Sequence, residues 1–385
     1  MDIESLVEKS NFPASQKMTY LNAASVALMY VEASRAVLAW QQDIAENGTN
    51  NFDEKAEEDI YNDLHAATAE LFNVGPADIA VGSSTTELMS SLAWAIFPEN
   101  GKNIIGTTAS FPSTIYPWQR LSRKTGCEIR LVEGGSNGYI DPVHILEQID
   151  DKTAVVCLSM VEYRSGQLYN LKEISSTVHE HGGLLVVDAT QAAGQVPIDA
   201  RSLGLDAIIS SGYKWLCGPF GAAVMYIAPD LQLKLDPGTV GWRSHEIMWD
   251  FRADRLVFPA NAKRFEAGTM AYGCAIALAR AVEYLNRIGI DRILRHNKNI
   301  ADKLGSEFTR IGAEIVSPER DEERSSIISV KFPGTDARLI ANHLYSKNIV
   351  VSERVGVIRI SPHLYNDEND VDRIIEVAKE FRANG

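Results

Sequence analysis

Short apolar runs alternate with amphipathic stretches along most of this chain. Runs rich in Ile, Val, Leu and Ala occupy 79–82, 103–107, 128–133, 154–159, 184–188, 206–210 and 222–227. Helical patterns separate most of them, such as DPVHILEQI at 141–149, where Asp141 can cap and Pro142 suits the first helical position. Apolar strands with intervening helices predict an α/β fold with a mostly parallel sheet covered on both faces. A helical pattern rich in acids precedes them at 53–72.

The pattern changes after about residue 270. AIALARAVEYLNRIG repeats Ile276, Leu278, Val282 and Leu285 at helical spacing. A second helix over 291–311 follows, then a strand in SIISVKF, a helix near 336–347, a short strand pair at 349–352 and 357–361, and a final helix. The division predicted is an N-terminal arm, 1–20, packing with the smaller unit, a large domain, 21–270, and a small α/β domain, 271–385. SPERDEERSS reads as a solvated loop.

Composition narrows the function classes. A formal charge of −14 over 385 residues is unsuited to nucleic acid, which needs a basic surface. No apolar run approaches the roughly 20 residues of a membrane helix, and MDIESLVEKS lacks the apolar stretch of a signal peptide, so a cytoplasmic protein without a membrane partner is expected. The four cysteines, Cys127, Cys157, Cys217 and Cys274, form no CxxC pair and no zinc pattern, which predicts free thiols and no metal site.

The chemistry concentrates in GGLLVVDATQAAGQVPIDARSLGLDAIISSGYKWLCGPFG. One strand ends in Asp188, with Gln191 three residues on, and the next ends at Ser210 and Ser211, just before Lys214. Adjacent strand tips would bring an acid and an amine to one sheet edge, as a pyridoxal phosphate enzyme requires. The amine forms a Schiff base with the cofactor, and the acid keeps the pyridine nitrogen protonated. Asp188 is equally suited to cap the next helix. In VGSSTTELMSSLAWAI, Ser84, Thr85 and Thr86 open a helix, where they either cap it or seat an anion. Phe111, in SFPST, is a core residue or a flat neighbour for a ring. Arg359, in GVIRISPHLY, is a structural ion pair or a clamp on a substrate carboxylate. There is no GxGxxG after a strand, no HExxH and no GxSxG.

STTE, VVDATQAAG, SGYKW with GPFG, RFEAGT and VIRISPHLYN together resemble the class V aminotransferase family of fold-type I pyridoxal phosphate enzymes. That family includes cysteine desulfurases, selenocysteine lyases, kynureninases and isopenicillin N epimerases. The resemblance spans nearly the whole chain and implies a large domain with a seven-stranded sheet. It implies Lys214 as the Schiff-base lysine, Asp188 at the pyridine nitrogen, Gln191 at the phenolic oxygen, and Thr85, Thr86, Ser211 and Tyr213 at the phosphate. Tyr213 stands where desulfurases usually carry histidine. It further implies a homodimer in which Thr269, after Gly268, reaches the other subunit's phosphate, and an amino-acid substrate whose carboxylate meets Arg359, with Asn22 nearby. Tyr163, Arg164, Arg243 and His363 are expected on the substrate's side-chain side. If Arg164 or Arg243 lines the pocket, a second acidic group on the substrate follows.

Two departures shape the expected reaction. SFPST puts Phe111 where desulfurases carry a histidine over the ring, as in kynureninases. The chain also has no cysteine after Cys274, and Ile349 to Arg359 is short, so a persulfide-forming desulfurase is not expected. The expectation is Cα deprotonation by Lys214 followed by loss of a β-substituent, a C–S or C–X lyase. A class V aminotransferase or an epimerase is the alternative, and a non-catalytic cofactor-binding protein the remote one.

Overall fold

A computed structural model describes residues 3–135 and 137–384 of the chain. Its centre is a seven-stranded sheet in the spatial order Ile79–Gly82, Ala223–Ile227, Ala207–Ser211, Leu184–Asp188, Thr153–Ser159, Asn103–Thr107, Glu128–Val132. Ala223–Ile227 runs antiparallel to both its neighbours and every other pairing is parallel. Alternate side chains leave opposite faces, and both faces are buried. Val156, Leu158, Leu185, Val187 and Ile208 join one apolar cluster; Val155, Cys157, Val186, Ala207 and Ile209 join the other. This double burial explains why the strands read as unbroken apolar runs.

Boundaries moved where capping or packing outweighed periodicity. The helix expected over 141–149 is the single turn Pro142–Leu146, although Asp141 does cap it through Val143 N at 3.0 Å. The acidic stretch 53–72 is two helices, Glu54–Asp59 and Asn62–Phe72. A helix at Val31–Asn47 was not expected; its Trp40 packs edge-on to Phe52 and Tyr272. The helix Tyr272–Ile288, grouped above with the C-terminal domain, packs by its buried face into the large sheet's cluster.

A separate cluster holds Ile300, Leu304, Phe308, Ile328, Ile340, Ile358 and Ile374 around the antiparallel strands Glu314–Ile315, Ile328–Lys331, Ser352–Arg354 and Val357–Ile360. Near the N-terminus, Thr19–Tyr20 pairs in parallel with Ile349–Val350, Leu6 N donates to Leu364 O at 3.0 Å, and Lys9 meets Asp367 at 2.8 Å. Among the described residues no helix is long and apolar enough to cross a membrane, and no cluster of His, Cys, Asp or Glu is arranged for a metal.

Candidate active site

The carboxyl ends of the parallel strands open onto one cleft, the usual ligand position in such sheets. Its lining includes Thr85, Thr86, Phe111, Tyr163, Asp188, Gln191, Ser211, Tyr213 and Lys214. About 530 Å³ of atom-free space lies within it, solvent at the mouth included. Ser84, Ser113, Ser159, Val161 and Thr190 also line it. The sequence offered a signal for Ser159 and Thr190, which sit at or just past strand tips neighbouring Lys214. Ser113 and Val161 carried none.

Lys214 follows Ala207–Ser211 in a tight turn closed by Cys217 N on Lys214 O at 2.8 Å. Cys217 takes the left-handed φ of 53° that this turn requires. Lys214 is 8% exposed, and burial lowers the pKa of its amine to about 8. The charge of Asp188 opposes that shift, while the guanidiniums of Arg359 and Arg354 add to it. Its Nζ lies 5.4 Å from the Phe111 ring centre. Gly194, at φ +96°, lets the DATQAAG loop press against this turn, because a Cβ there would stand 2.3 Å from Trp215 O. Gly194→Ala is therefore expected to displace the lysine turn, lowering stability by about 1–3 kcal/mol and weakening cofactor uptake. Thermal melting together with cofactor titration checks this; an alanine variant that binds and melts normally would contradict it.

Asp188 is held from two sides. Thr114 Oγ1 donates to Oδ2 at 2.8 Å and Thr190 N to Oδ1 at 2.9 Å, so its oxygens point along the cleft floor. Thr114 escaped the sequence reading because it starts a helix on a different strand connection. Gln191 is also fixed: Trp215 Nε1 donates to its Oε1 at 2.8 Å, and its Nε2 donates to Ala24 O at 2.9 Å. One amide hydrogen remains free for a ligand.

The helix Thr85–Ile96 aims its N-terminus at the cleft. Ser84 caps it through Glu87 N at 3.1 Å, and Glu87 reaches back to Ser83 N at 2.9 Å. Thr85 Oγ1 shares hydrogen bonds with Ser211 Oγ at 2.6 Å and Thr190 Oγ1 at 3.2 Å. Tyr213 stacks on Phe220 at 4.3 Å. Phe111 leaves a face exposed and meets Tyr163 edge-on at 5.5 Å. The loop bearing Phe111 is fastened below by Ser110 and Thr107 on the buried Glu162, whose pKa burial raises to about 7.

Arg359 and Asn22 are not among the residues lining the cleft but adjoin it through Tyr163: Arg359 is buried, donating to Tyr163 O at 2.7 Å and Ser25 Oγ at 2.6 Å, and Asn22 joins the same network through Ser352. Three expected substrate-side residues lie elsewhere. Arg243 donates to Glu57 O and stacks on Tyr61, 4.6 Å from its ring centre, because a cage of aromatic residues receives its guanidinium. Arg164 donates to Val355 O and lines a neighbouring cavity with Glu162. His363 is buried against Trp215 O at 3.0 Å, and burial drops its pKa to about 3. Gly268 and Thr269 lie outside the cleft, Thr269 exposed.

These groups fit pyridoxal phosphate. A buried amine and an acid face one cleft, an exposed aromatic face stands beside the amine, and three linked hydroxyls sit at a helix N-terminus suited to a phosphate.

The comparisons agree with this geometry. An uncharacterized aminotransferase of Bacillus subtilis is 27% identical over 366 residues, 95% of each chain. A probable cysteine desulfurase of Methanothermobacter thermautotrophicus is 25% identical over 398 residues, 98% of each. The fold is shared with the apo cysteine desulfurase of Thermococcus onnurineus (TM-score 0.89, 23% identity, 98% of each chain). It is shared as well with a cystine C–S lyase solved with its product cysteine persulfide (TM-score 0.86, 24% identity, 95% of this chain and 99% of that one). The class-V aminotransferase family model matches residues 19–374, so the chain belongs to that family and is a pyridoxal phosphate-dependent enzyme.

Proposed function

We propose that this enzyme is a β-lyase that breaks a C–S or similar C–X bond in a cysteine-type or otherwise substituted amino acid, with no protein thiol carrying the released group. One observation carries the reading: Lys214 is the only amine or imidazole among the lining residues, and its pKa is tuned near neutrality. When bound, pyridoxal phosphate would supply an electron sink for the pair left at the substrate Cα when its proton is removed. Arg359 binds the substrate carboxylate. Lys214 takes the Cα proton and returns it to the leaving group. Asp188 holds a proton at the ring nitrogen, Phe111 covers the ring, and the Thr85 helix end with Ser211 holds the phosphate.

Elimination needs only this one proton carrier, whereas epimerisation needs a second acid on the opposite face. Persulfide formation on the protein needs an accessible thiolate. Cys127, Cys157 and Cys217 are buried, burial raises the thiols of Cys157, Cys217 and Cys274, and none of the four cysteines lines the cleft. Aminotransfer uses the same single base and is the second reading. A homodimer completes the picture, since among the described residues Lys214 is the only cation lining the cleft and the exposed Thr269 is suited to another copy's phosphate.

The test follows the visible band of the cofactor-loaded protein while amino acids are added without a keto-acid acceptor. Keto acid accumulating over many turnovers with the band retained, unaffected by iodoacetamide, is expected. Stoichiometric loss of the band would indicate aminotransfer, and inhibition by iodoacetamide would point to a protein thiol.

A further inference from the structure

Two guanidiniums converge on one hydroxyl beside the cleft. Arg359 Nη2 donates to Ser25 Oγ at 2.6 Å, and Arg354 Nη2 donates to the same atom at 3.0 Å. The direction of the remaining bonds follows from the acceptor at the end of the chain. Asn22 Oδ1 accepts from Ser352 Oγ at 2.7 Å, so Ser352 Oγ accepts in turn from Ser25 Oγ at 2.8 Å. The one proton of Ser25 is thereby committed, and its lone pairs face the two arginines.

A carboxylate is the usual partner for a buried arginine such as Arg359, because an unpaired buried charge is costly; Arg354 beside it is half-buried. Among the described residues neither guanidinium has an ion-pair partner; the other acceptors are Tyr163 O for Arg359 and Glu353 O for Arg354. The Glu353 carboxylate turns away to accept from Gly356 N at 2.7 Å. Arg359 is 1% exposed and its Nε has no partner. Neither arginine is among the residues lining the cleft, but the pair adjoins it. Both charges lower the pKa of Lys214, Tyr163 lines the cleft, and Ala24, next to Ser25, is bonded by the cleft residue Gln191.

We propose that Arg354 selects an amino acid carrying two acidic groups, the α-carboxylate meeting Arg359 and a second carboxylate or similar anion on the side chain meeting Arg354. The substrate class rests on the pyridoxal phosphate reading; the anion pair does not. One carboxylate satisfies one guanidinium, and a second like charge held at the same hydroxyl is repulsive until a second anion arrives. Ser25 is a neutral place-holder that spaces the two cations. The cation expected at Arg164 or Arg243 is supplied instead by Arg354, on the hairpin that leads into Arg359.

The experiment titrates the cofactor-loaded protein with succinate, glutarate and propionate by calorimetry. These probes have no amine, so they read the anion pair apart from any chemistry at Lys214. A dicarboxylate is expected to bind at least about 10-fold more tightly than propionate. Arg354→Gln is expected to reduce dicarboxylate affinity roughly 10- to 100-fold, to the propionate level, and to change propionate affinity less than about 2-fold. Arg354→Lys, which keeps the charge, retains part of the preference. Equal binding of mono- and dicarboxylates by the unaltered protein overturns the proposal, as does an equal loss of both in Arg354→Gln alongside an unchanged preference in Arg354→Lys. The visible band of added cofactor, measured in parallel, separates the two ideas. A band without dicarboxylate preference sinks the anion pair alone, and a preference without a band sinks the cofactor reading alone.

Discussion

Replacing Lys214 with methionine is expected to abolish turnover, by a factor of about 10³ or more, while making the cofactor-free protein more stable. The loss follows from chemistry. At pH 7 an amine with an ordinary pKa near 10.5 is neutral in only about 0.03% of molecules, whereas one near 8 is neutral in about 9%. The gain in stability follows from the same shift. In the unfolded chain the lysine holds its proton up to about pH 10.5, and in the folded chain it releases it above about pH 8. Between those values the unfolded state binds more protons, so stability rises with pH; below about pH 8 the full cost of the buried charge is present. Lys214→Met should therefore stabilise the apoprotein by up to about 3 kcal/mol at pH 7, with the advantage fading toward pH 10.5. Urea unfolding at both ends of that range checks it. A variant no more stable than the parent at pH 7 would mean that the amine is solvated.

Asp188→Asn is expected to lower turnover about 10²- to 10⁴-fold with little change in fold. The amide oxygen can still accept from Thr190 N and its NH₂ can donate to the Thr114 hydroxyl, so the side chain keeps its place, but no negative charge remains to hold a proton at the ring nitrogen. Thr114→Val separates position from charge. It removes one hydrogen bond and keeps the carboxyl, so a loss of roughly 5- to 10-fold is expected, corresponding to about 1 kcal/mol. The absorbance of the bound cofactor should shift in Asp188→Asn and hold its position in Thr114→Val. A kinetic loss as large in the valine variant would assign Asp188 a structural role.

The sheet was legible because every strand but the edge strand Glu128–Val132 is buried on both faces, which leaves an apolar run that flanking turns delimit. Lys214 and Asp188 were legible because they stand at the tips of such runs. Residues whose importance depends on a crossing between distant segments left no local trace. Thr114 matters because its helix passes Asp188, and Ser25 because two arginines more than three hundred positions away close on it. Arg243 failed in the opposite sense: it was expected beside the substrate, but Tyr61 and Tyr272 arrive from elsewhere and enclose it.

The reach of this network carries a consequence for the chain as it is made. Segment 352–363 supplies Arg354, Arg359 and the His363 bond to Trp215 O, and it follows Lys214 by more than 130 positions, so it leaves the ribosome well after the lysine. Until it docks, Lys214 lacks two charges that add to the effect of burial on its pKa and the contact that braces its turn, so a smaller fraction of its amine is neutral and nucleophilic. Docking of this later segment thus completes the tuning of the lysine, and a chain in which it has not docked reacts more slowly with aldehydes.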